Sequence, residues 1–512
     1  MQIDNDYFSN ILSGNSLREF TNGPVGIEKE NLRISDSRIS KNEYESTLGS
    51  SLCNNYITTD FSESQFEFIT PPTKDFSNCI EFLDSIQKFT QSKIGNDLLW
   101  PLSMPPFIES EADIPIGKYG KSNLGLFKTV YRNGLSHRYG KLMQTISGLH
   151  YNFSYPEIFF KDISKKFPEY NESEIRSEIY LATIRNIHRI NWLLLYLFGC
   201  SPIVSKNFTN QTNDDFLTHN NSFYLPYATS LRMSDLGYNN SDRSDLFISI
   251  NNIDEYTNDL LEATNTHSKR FADFPSSESG NKTQISPNIL QIEDEYYSIA
   301  RPKSSIIDES RLTSKLKTGG VDYIELRSID LDPFTRTGIS IDDLMFLKTV
   351  IIYCTFTPSP IMTKKEYNEI KSNDLLVSRM GRKKNLSIKR DSKTISLDDW
   401  ACEIFDKLHL INENLGNNIS MIDKYKRRLI KKDETPSGRI LDNFLSSEKT
   451  MDQIGTEIAH ENKEKLLKET HLNKQIIKKI EDEVSRSKKE QEKLERHQNI
   501  SFSQYLDNYF ER

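Results

Sequence analysis

The stretch that decides the fold is Gly26-Ile27-Glu28-Lys29-Glu30-Asn31-Leu32-Arg33, in which two acidic residues alternate with other side chains. Such a run is typical of a β-strand, because successive strand residues point to opposite faces. Glu28 and Glu30 then share one face, about 7 Å apart at the usual strand rise. Close carboxylates repel each other unless something positive lies between them. A solvated strand face is the alternative, because acidic side chains are usually exposed.

Three further segments alternate in the same way, each with an apolar face and a polar face. The period-two pattern predicts a half-buried strand in each segment. The polar positions are Gln65 and Glu67 within 60–70, Gln144, His150 and Asn152 within 143–154, and Tyr323, Glu325 and Arg327 within 321–330. Repetition of acids on four strands makes plain solvent exposure a weaker interpretation, because uncompensated carboxylates raise each other's pKa and destabilise the fold.

The types of side chain on these strands indicate a metal. Carboxylates with one imidazole, and without a cluster of thiolates, suit Mg²⁺ or Mn²⁺ better than a closed zinc site. His150 could instead be a core histidine, but its position on a polar strand face favours a ligand. The residues therefore predict a magnesium site on a sheet.

Composition limits the partners of this site. The chain has 512 residues and a formal net charge of -8, so its overall charge does not favour nucleic acid or an anionic membrane. The five cysteines are scattered and odd in number, which predicts reduced thiols in the cytoplasm. Residues 1–10 lack the basic and apolar pattern of a leader. The apolar run 192–200 is too short to span a bilayer and predicts a buried helix end.

The remaining organisation is mostly helical. A capping-box pattern at Asn171 and Glu174 predicts a helix over 171–199, and a second apolar helix is expected over 336–357. Residues 379–390 are basic and predict a surface segment. Residues 457–498 are dense in Lys and Glu and predict one long, mostly solvated helix, with a coiled-coil partner helix as the alternative.

We expect one catalytic unit over 1–455, with its motifs at about 20–355, and a charged helical segment over 456–512. No Walker motif is present, since Gly120-Lys121-Ser122 has Pro115 where the first glycine would stand. Bound phosphates would therefore be neutralised by metals and by single Arg or Lys residues.

Several blocks of this sequence resemble the motifs of proteobacterial-type glutamate-cysteine ligase. They occur in the family's order and are long enough to be specific. The blocks are Gly26-Ile27-Glu28-Lys29-Glu30-Asn31-Leu32-Arg33, Thr58-Thr59-Asp60-Phe61, Trp100-Pro101-Leu102-Ser103-Met104-Pro105, Gly148-Leu149-His150-Tyr151-Asn152-Phe153-Ser154, Ser230-Leu231-Arg232-Met233-Ser234, Arg301-Pro302-Lys303 and Tyr323-Ile324-Glu325-Leu326-Arg327. Beyond residue 360 the resemblance is reduced to fragments.

The resemblance implies ATP-dependent ligation of the L-glutamate γ-carboxylate to the L-cysteine amino group through a γ-glutamyl phosphate, the first step of glutathione synthesis. It implies an α+β fold of the glutamine synthetase and guanidino kinase type, a curved, mainly antiparallel sheet with helices outside. A carboxylate is a poor electrophile, so activation by a phosphoryl group agrees with the predicted metal site. The resemblance also implies a monomer.

Residue by residue, the resemblance assigns three groups. The metal ligands are Glu28, Glu30, Asp60, Glu67, His150 and Glu325. The substrate-binding residues are Tyr131, Leu135, Gln144, Ile146, Arg232, Tyr238, Tyr297 and Arg327. Arg327 and Glu67 are the expected catalytic residues, although an ion pair with Glu325 is an alternative role for Arg327 and Tyr296 competes with its neighbour Tyr297.

Two other functions stay open. A related carboxylate-amine ligase would use the same chemistry with a different amine. An interaction protein would use the charged C-terminal helix and need no intact site. The sequence offers no distinct general base, so the amine could lose its proton to phosphate, solvent or an acid such as Glu67.

Overall fold

The computed structural model describes residues 17–208, 215–237, 246–272, 282–469 and 473–511. The helices are α1 Leu17–Thr21, α2 Phe76–Gln91, α3 Asn123–Tyr139, α4 Glu157–Ser164, α5 Glu172–Phe198, α6 Ile253–Asn265, α7 Leu312–Gly319, α8 Ile341–Phe356, α9 Lys364–Met380, α10 Leu397–Asn414, α11 Ile419–Ile430, α12 Pro436–Leu445, α13 Met451–Lys468, α14 Lys474–Arg496 and α15 Phe502–Glu511. The strands are β1 Val25–Ser35, β2 Arg38–Ile39, β3 Ile57–Thr59, β4 Gln65–Ile69, β5 Leu98–Leu99, β6 Leu149–Phe153, β7 Ile203–Ser205, β8 Leu217–His219, β9 Ser222–Tyr224, β10 Ala300–Lys303, β11 Tyr323–Ile329, β12 Ser387–Arg390 and β13 Lys393–Ser396.

An eight-stranded sheet carries the four predicted strands. Its main path runs β10-β11-β6-β1-β4-β3, and the short strands β2 and β5 both pair with β1. Each pairing is antiparallel. The long strand β1 lies at the centre of the path, so residues 26–33 form a central strand of the sheet. The predicted α+β architecture is confirmed.

One face of the sheet is apolar and covered by helices. Ile27, Phe66, Phe68, Tyr151 and Leu326 are each 2 % exposed or less and pack into the main hydrophobic core. Helices α2, α5 and α8 contribute to the same core. Because side chains alternate along each strand, the residues between these apolar positions point to the other face.

One predicted strand is shorter than its pattern. Within 143–154 only β6 is extended, because Met143–Thr145 forms a 3₁₀ turn. The backbone before β6 makes other hydrogen bonds: Ser147 N donates to Ser103 O at 2.9 Å, and Gly148 N donates to the Glu30 carboxylate at 2.6 Å. The prediction that Gln144 and Ile146 belong to this strand was therefore wrong.

The two predicted apolar helices are confirmed. The capping box of α5 forms as predicted, and Gly199 caps its other end. The apolar run 192–200 is the buried end of this helix and continues into Cys200. The basic segment 379–390 departs from the prediction at Arg382, which is buried because carbonyl oxygens of Ala228 and Pro226 accept its hydrogen bonds at 3.2 and 2.7 Å.

The charged C-terminal region forms separate helices rather than one. Helix α13 ends at Lys468, with Glu469 as its cap, and α14 begins at Lys474 after an Asn473 cap. Both helices pack on the body of the protein: Met451 N of α13 donates to Ser222 Oγ at 3.1 Å, and Ser487 Oγ of α14 accepts from Ser50 N at 3.1 Å. Helix α13 also crosses the predicted boundary between 455 and 456.

The structure bears on two further features. Among the residues it describes, no helix has both the length and the apolar character needed to cross a bilayer. The five cysteines are free thiols, three of them buried.

Candidate active site

The polar face of the sheet brings together acidic residues from three strands and a histidine from a fourth. In the antiparallel register, Glu28 lies opposite His150, Glu30 lies opposite Glu67, and Glu325 lies opposite Asn152. Residues directly opposite each other in antiparallel strands share a face and have close side chains. Residues that are distant in sequence therefore form one cluster on β1, β4, β6 and β11.

His150 lies at the centre of this carboxylate cluster. Its Nδ1 is 3.1 Å from the Glu28 carboxylate and 3.6 Å from that of Glu325, while its Nε2 is 3.5 Å from Glu30. Asn152 donates to the second oxygen of Glu28 at 2.8 Å. The imidazole is buried and both its nitrogens face acids, so the alternative of a structural core histidine is the weaker interpretation.

Two cations balance one side of the cluster. Arg327 Nη1 is 3.1 Å from Glu325 Oε1, and Lys303 Nζ is 3.4 Å from Glu325 Oε2. Burial would raise the pKa of Glu325, but Lys303 and Arg327 hold it well below its usual value. Burial and the neighbouring Glu325 carboxylate would raise the pKa of Glu28, but the hydrogen bond with His150 and the charges of His150 and Lys303 together outweigh them, so that pKa is lowered.

The other side of the cluster has an excess of negative charge. Burial, reinforced by Glu28, Asp60, Glu30 and Glu325, raises the pKa of Glu67 well above its usual value. Burial and the nearby Asp60 carboxylate also raise the pKa of Glu30. Repulsion of this kind is expected where carboxylates are arranged for a cation that brings its own charge.

The donor set fits a hard divalent cation. Glu28, Glu67 and His150 each offer a ligand atom, and the three atoms lie within 4.8 Å of one another. Glu30 and Glu325 approach the same imidazole, and Asp60 acts on Glu30 and Glu67 through its charge. Oxygen ligands with one imidazole are appropriate for Mg²⁺ or Mn²⁺.

Asp60 is held at the end of β3 by its backbone. The hydroxyl of Tyr119 donates to Asp60 O at 3.0 Å, and Arg132 Nε donates to the same oxygen. The carboxylate is therefore left to face the cluster, while the main chain is fixed by side chains from α3 and the loop before it. Sequence reasoning found Asp60 but did not find Tyr119 or Arg132 as its supports.

Arg232 is buried beside Arg327, although its serine-rich loop alone predicts a surface residue. Its Nη2 donates to Arg327 O at 2.9 Å, and its Nη1 lies 3.6 Å from Asp330. Gly148 permits this approach, because a Cβ there would lie 2.0 Å from Arg232 Nη2. Asp330 is a residue that the sequence analysis missed; only its position just past β11 could have indicated it.

The sequence matches known proteins over most of its length. A family model described as glutamate-cysteine ligase matches residues 9–377. The glutamate–cysteine ligase of Alcanivorax borkumensis is 39% identical over 500 residues, covering 95% of this chain and 95% of that relative. That of Janthinobacterium is 36% identical over 514 residues, covering 98% and 97%.

The chain belongs to the glutamate-cysteine ligase family.

Solved structures agree with this family membership. The crystal structure of glutamate–cysteine ligase from Francisella tularensis in complex with AMP superposes with a TM-score of 0.89 at 32% identity, covering 96% of this chain and 97% of that one. A bifunctional glutathione synthetase from Pasteurella multocida shares the fold, with a TM-score of 0.72 at 23% identity over 89% of this chain and 54% of that one.

The substrate-binding residues predicted from the glutamate-cysteine ligase family lie in several places. Tyr297 lies beside Arg327, whose guanidinium is 6.0 Å from the centre of the Tyr297 ring. The neighbouring Tyr296 is buried in the core, 3.4 Å from the Tyr367 hydroxyl, which favours Tyr297 over it. Tyr238 lies outside the described residues.

The other predicted substrate-binding residues pack in different parts of the structure. Tyr131 and Leu135 are one turn apart on α3, but Tyr131 packs in the cluster that contains Phe127, whereas Leu135 packs against the cluster that contains Trp100. Gln144 and Ile146 follow in the 3₁₀ turn and are buried. Their role in substrate binding stays a prediction.

The sequence placed Asn152 on the polar face without assigning it to the site, and Lys303 was not selected. Lys303 lies in the Arg301-Pro302-Lys303 block, and its register opposite Tyr323 places it on the polar face. Asn152 follows His150 by two residues in β6, so the alternation that selected His150 also contained it. The available signal was strand alternation, and only the pairing of distant strands shows which charges meet.

Proposed function

We propose that the carboxylate cluster performs the reaction of this family, ATP-dependent ligation of the L-glutamate γ-carboxylate to the amino group of L-cysteine. The observation that carries the proposal is the cluster itself: four acids, one imidazole and two cations on one face of an antiparallel sheet. Family membership supplies the substrates, and the neighbour bound to AMP is consistent with a nucleotide substrate.

The reaction has two covalent steps. An oxygen of the glutamate γ-carboxylate attacks the γ-phosphorus of ATP and ADP leaves, which forms a γ-glutamyl phosphate. The cysteine nitrogen then attacks the acyl carbon, phosphate leaves, and the nitrogen loses one proton. Neither step needs a nucleophile from the protein, so catalysis rests on positioning and on stabilisation of phosphoryl charge.

Within this proposal Glu28, Glu30, Asp60, Glu67, His150 and Glu325 hold Mg²⁺ or Mn²⁺. Cations bound there would supply positive charge that neutralises the phosphates of ATP. The support is the raised pKa of Glu67, caused first by burial and then by four neighbouring acids, which indicates that this side of the cluster lacks a positive charge. Glu67 is also an available acceptor for the proton that the amine loses.

Arg327 is proposed to hold the transferred phosphoryl group or a substrate carboxylate. Its guanidinium is anchored at one end by Glu325 and faces Tyr297, and it is held 17% exposed at the edge of the cluster. A planar guanidinium can donate two parallel hydrogen bonds to a carboxylate or phosphoryl oxygen pair. The ion pair with Glu325 thus orients Arg327 and is compatible with its catalytic role. The residues proposed to surround the amino-acid substrates are Arg232, Tyr297, Tyr131, Leu135, Gln144, Ile146 and Tyr238.

The deciding experiment measures phosphate release with L-glutamate, ATP and Mg²⁺ while the amine is varied. We expect L-cysteine to stimulate release far more than glycine or L-alanine, with γ-glutamylcysteine as the product. Stimulation by another amine in place of L-cysteine would transfer the proposal to a related carboxylate-amine ligase, which the comparisons do not favour. The monomeric state and cytoplasmic location stay predictions, as does the division at residue 455.

A further inference from the structure

A cavity of ≈ 220 Å³ lies between two helices beside the reaction centre. Helix α5 contributes His188, Asn191 and Leu195, and α9 contributes Tyr367, Ile370, Lys371 and Asp374, so each helix presents residues spaced three, four or seven apart. Met233, Tyr297 and Ile299 form the third wall. This volume exceeds that of several waters but is smaller than the usual pocket for a drug-sized ligand.

Buried hydrogen-bond acceptors in this cavity lack donors. Asn191 is fully buried, and its amide donates to Asp374 Oδ2 at 2.8 Å. Within the part of the chain that the structure describes, Asn191 Oδ1 and Asp374 Oδ1 have no hydrogen-bond partner. Burial raises the pKa of Asp374 to about 8, and the hydrogen bond from Asn191 offsets this only in part. Leaving buried acceptors without donors is costly.

The rest of the lining is complementary to a small zwitterion. Lys371 precedes Asp374 by three residues on the same helix and lines the same cavity, so a cation and an acid are available together. Leu195, Ile299 and Ile370 supply apolar surface between them. An ammonium group would supply donors to the unpaired oxygens, a carboxylate would meet Lys371, and an apolar side chain would cover the aliphatic wall.

We propose that this cavity is a second amino-acid site, which takes a small apolar α-amino acid with its ammonium group on Asp374 and Asn191. The site is separate from the carboxylate cluster and shares one wall with it. That wall is Tyr297, which lines the cavity and also faces Arg327. The binding proposal rests on the cavity alone, so it can fail while the proposed ligase function stands.

The test is calorimetric titration of the full-length protein with L-valine in the presence of saturating L-cysteine. We expect binding that cysteine does not displace, and that Asp374→Asn weakens at least tenfold. The matched control is Glu369→Gln, on the same helix but outside the cavity lining. Lys371→Met should abolish the preference for L-valine over isobutylamine, which lacks the carboxylate. Unchanged melting temperatures would show that the variants are folded.

Proton release gives an independent readout. Because burial raises the pKa of Asp374 to about 8, an ammonium group in contact with its carboxylate should lower that pKa and displace a proton. Titrations in buffers of different ionisation enthalpy should therefore report proton release with the wild type and none with Asp374→Asn. L-Valine binding that is absent, that cysteine displaces, or that Asp374→Asn leaves unchanged would overturn the proposal.

Discussion

At the scale of single residues, replacement of Glu67 should lower activity without lowering stability. Replacement by Gln removes a carboxylate whose pKa is raised by burial and by four neighbouring acids. We expect Glu67→Gln to melt at the same or a higher temperature without metal, and to lose about two orders of magnitude in kcat through loss of charge stabilisation. Thermal melts without Mg²⁺ and Mg²⁺-dependent rates measure the two effects.

The control for this variant is Glu43→Gln, which removes an exposed acid paired with Lys118 at 2.7 Å. It should change neither the rate nor the melting temperature appreciably, because exposed ion pairs contribute little. A Glu67→Gln protein that is strongly destabilised yet turns over normally per folded molecule would give Glu67 a structural role.

A lysine substitution at Arg327 tests whether activity needs the planar shape of the guanidinium or only its positive charge. Arg327→Lys keeps a cation near the buried Glu325, so the folded state should avoid the roughly 3–5 kcal/mol cost of leaving that carboxylate unpaired. A lysine cannot make the planar two-point contact, and we expect kcat/KM to fall by about 10- to 100-fold. Steady-state kinetics beside a denaturant titration would measure both quantities. Equal kcat/KM values would reduce Arg327 to an electrostatic partner of Glu325.

At the scale of elements, α15 supports α3, the helix that carries Tyr131 and Leu135, which the family resemblance predicts to enclose the cysteine side chain. Leu506 and Tyr505 of α15 pack with Phe127 and Val130 of α3, and the Phe127 and Tyr509 rings lie 4.7 Å apart. Leu506→Ala should loosen this contact and raise the KM for L-cysteine several-fold, with a smaller effect on kcat. Kinetics at saturating ATP and glutamate would measure it.

The control for Leu506 is Leu467→Ala, since Leu467 is a helical leucine that is 47% exposed. We expect its kinetic constants to match the wild type. If Leu506→Ala also left the KM for L-cysteine unchanged, α15 would have no influence on the binding of L-cysteine.

The sequence predicted elements best where periodicity alone decides them. Strand β1 and helix α5 follow from alternation and from the Asn171 capping box. The strand expected over 143–154 is shortened because Gly148 N and Ser147 N bond to distant partners. The break between α13 and α14 was missed because Lys and Glu favour helix on both sides of it.

At the scale of the whole molecule, the site was predictable as a list of residues but not as a set of contacts. Strand alternation selected Glu28, Glu30, Glu67, His150 and Glu325. It could not show that His150 lies between three of these acids, because that depends on the order of strands in the sheet. Arg232 was unpredictable from its own loop, since its burial requires Asp330 and the small Gly148.

The cluster should also give global stability a distinctive pH dependence. The folded pKa of Glu67 is raised above its unfolded value of 4.5, so the folded protein holds this proton more tightly. The resulting stabilisation is complete below about pH 4.5 and is lost as pH rises towards the raised pKa. Without metal, the wild type should therefore lose unfolding free energy relative to Glu67→Gln as pH rises from 4.5.

Urea titrations of both proteins between pH 4.5 and 8 would measure this difference. Addition of Mg²⁺ should stabilise the wild type more at pH 8 than at pH 5, because cation binding requires the ionised carboxylates. A difference between the two proteins that stays constant across this range would contradict the like-charge account of Glu67.

The most direct test of the central claim uses L-glutamate labelled with ¹⁸O in its γ-carboxylate, together with ATP, Mg²⁺ and L-cysteine. Attack of that carboxylate on ATP, followed by attack of the amine, transfers one labelled oxygen to the released phosphate. We predict one ¹⁸O in phosphate for each γ-glutamylcysteine formed, and about 100-fold slower formation of both products with Glu67→Gln at the same protein concentration. Formation of γ-glutamylcysteine with unlabelled phosphate would contradict phosphoryl activation of glutamate at this carboxylate cluster.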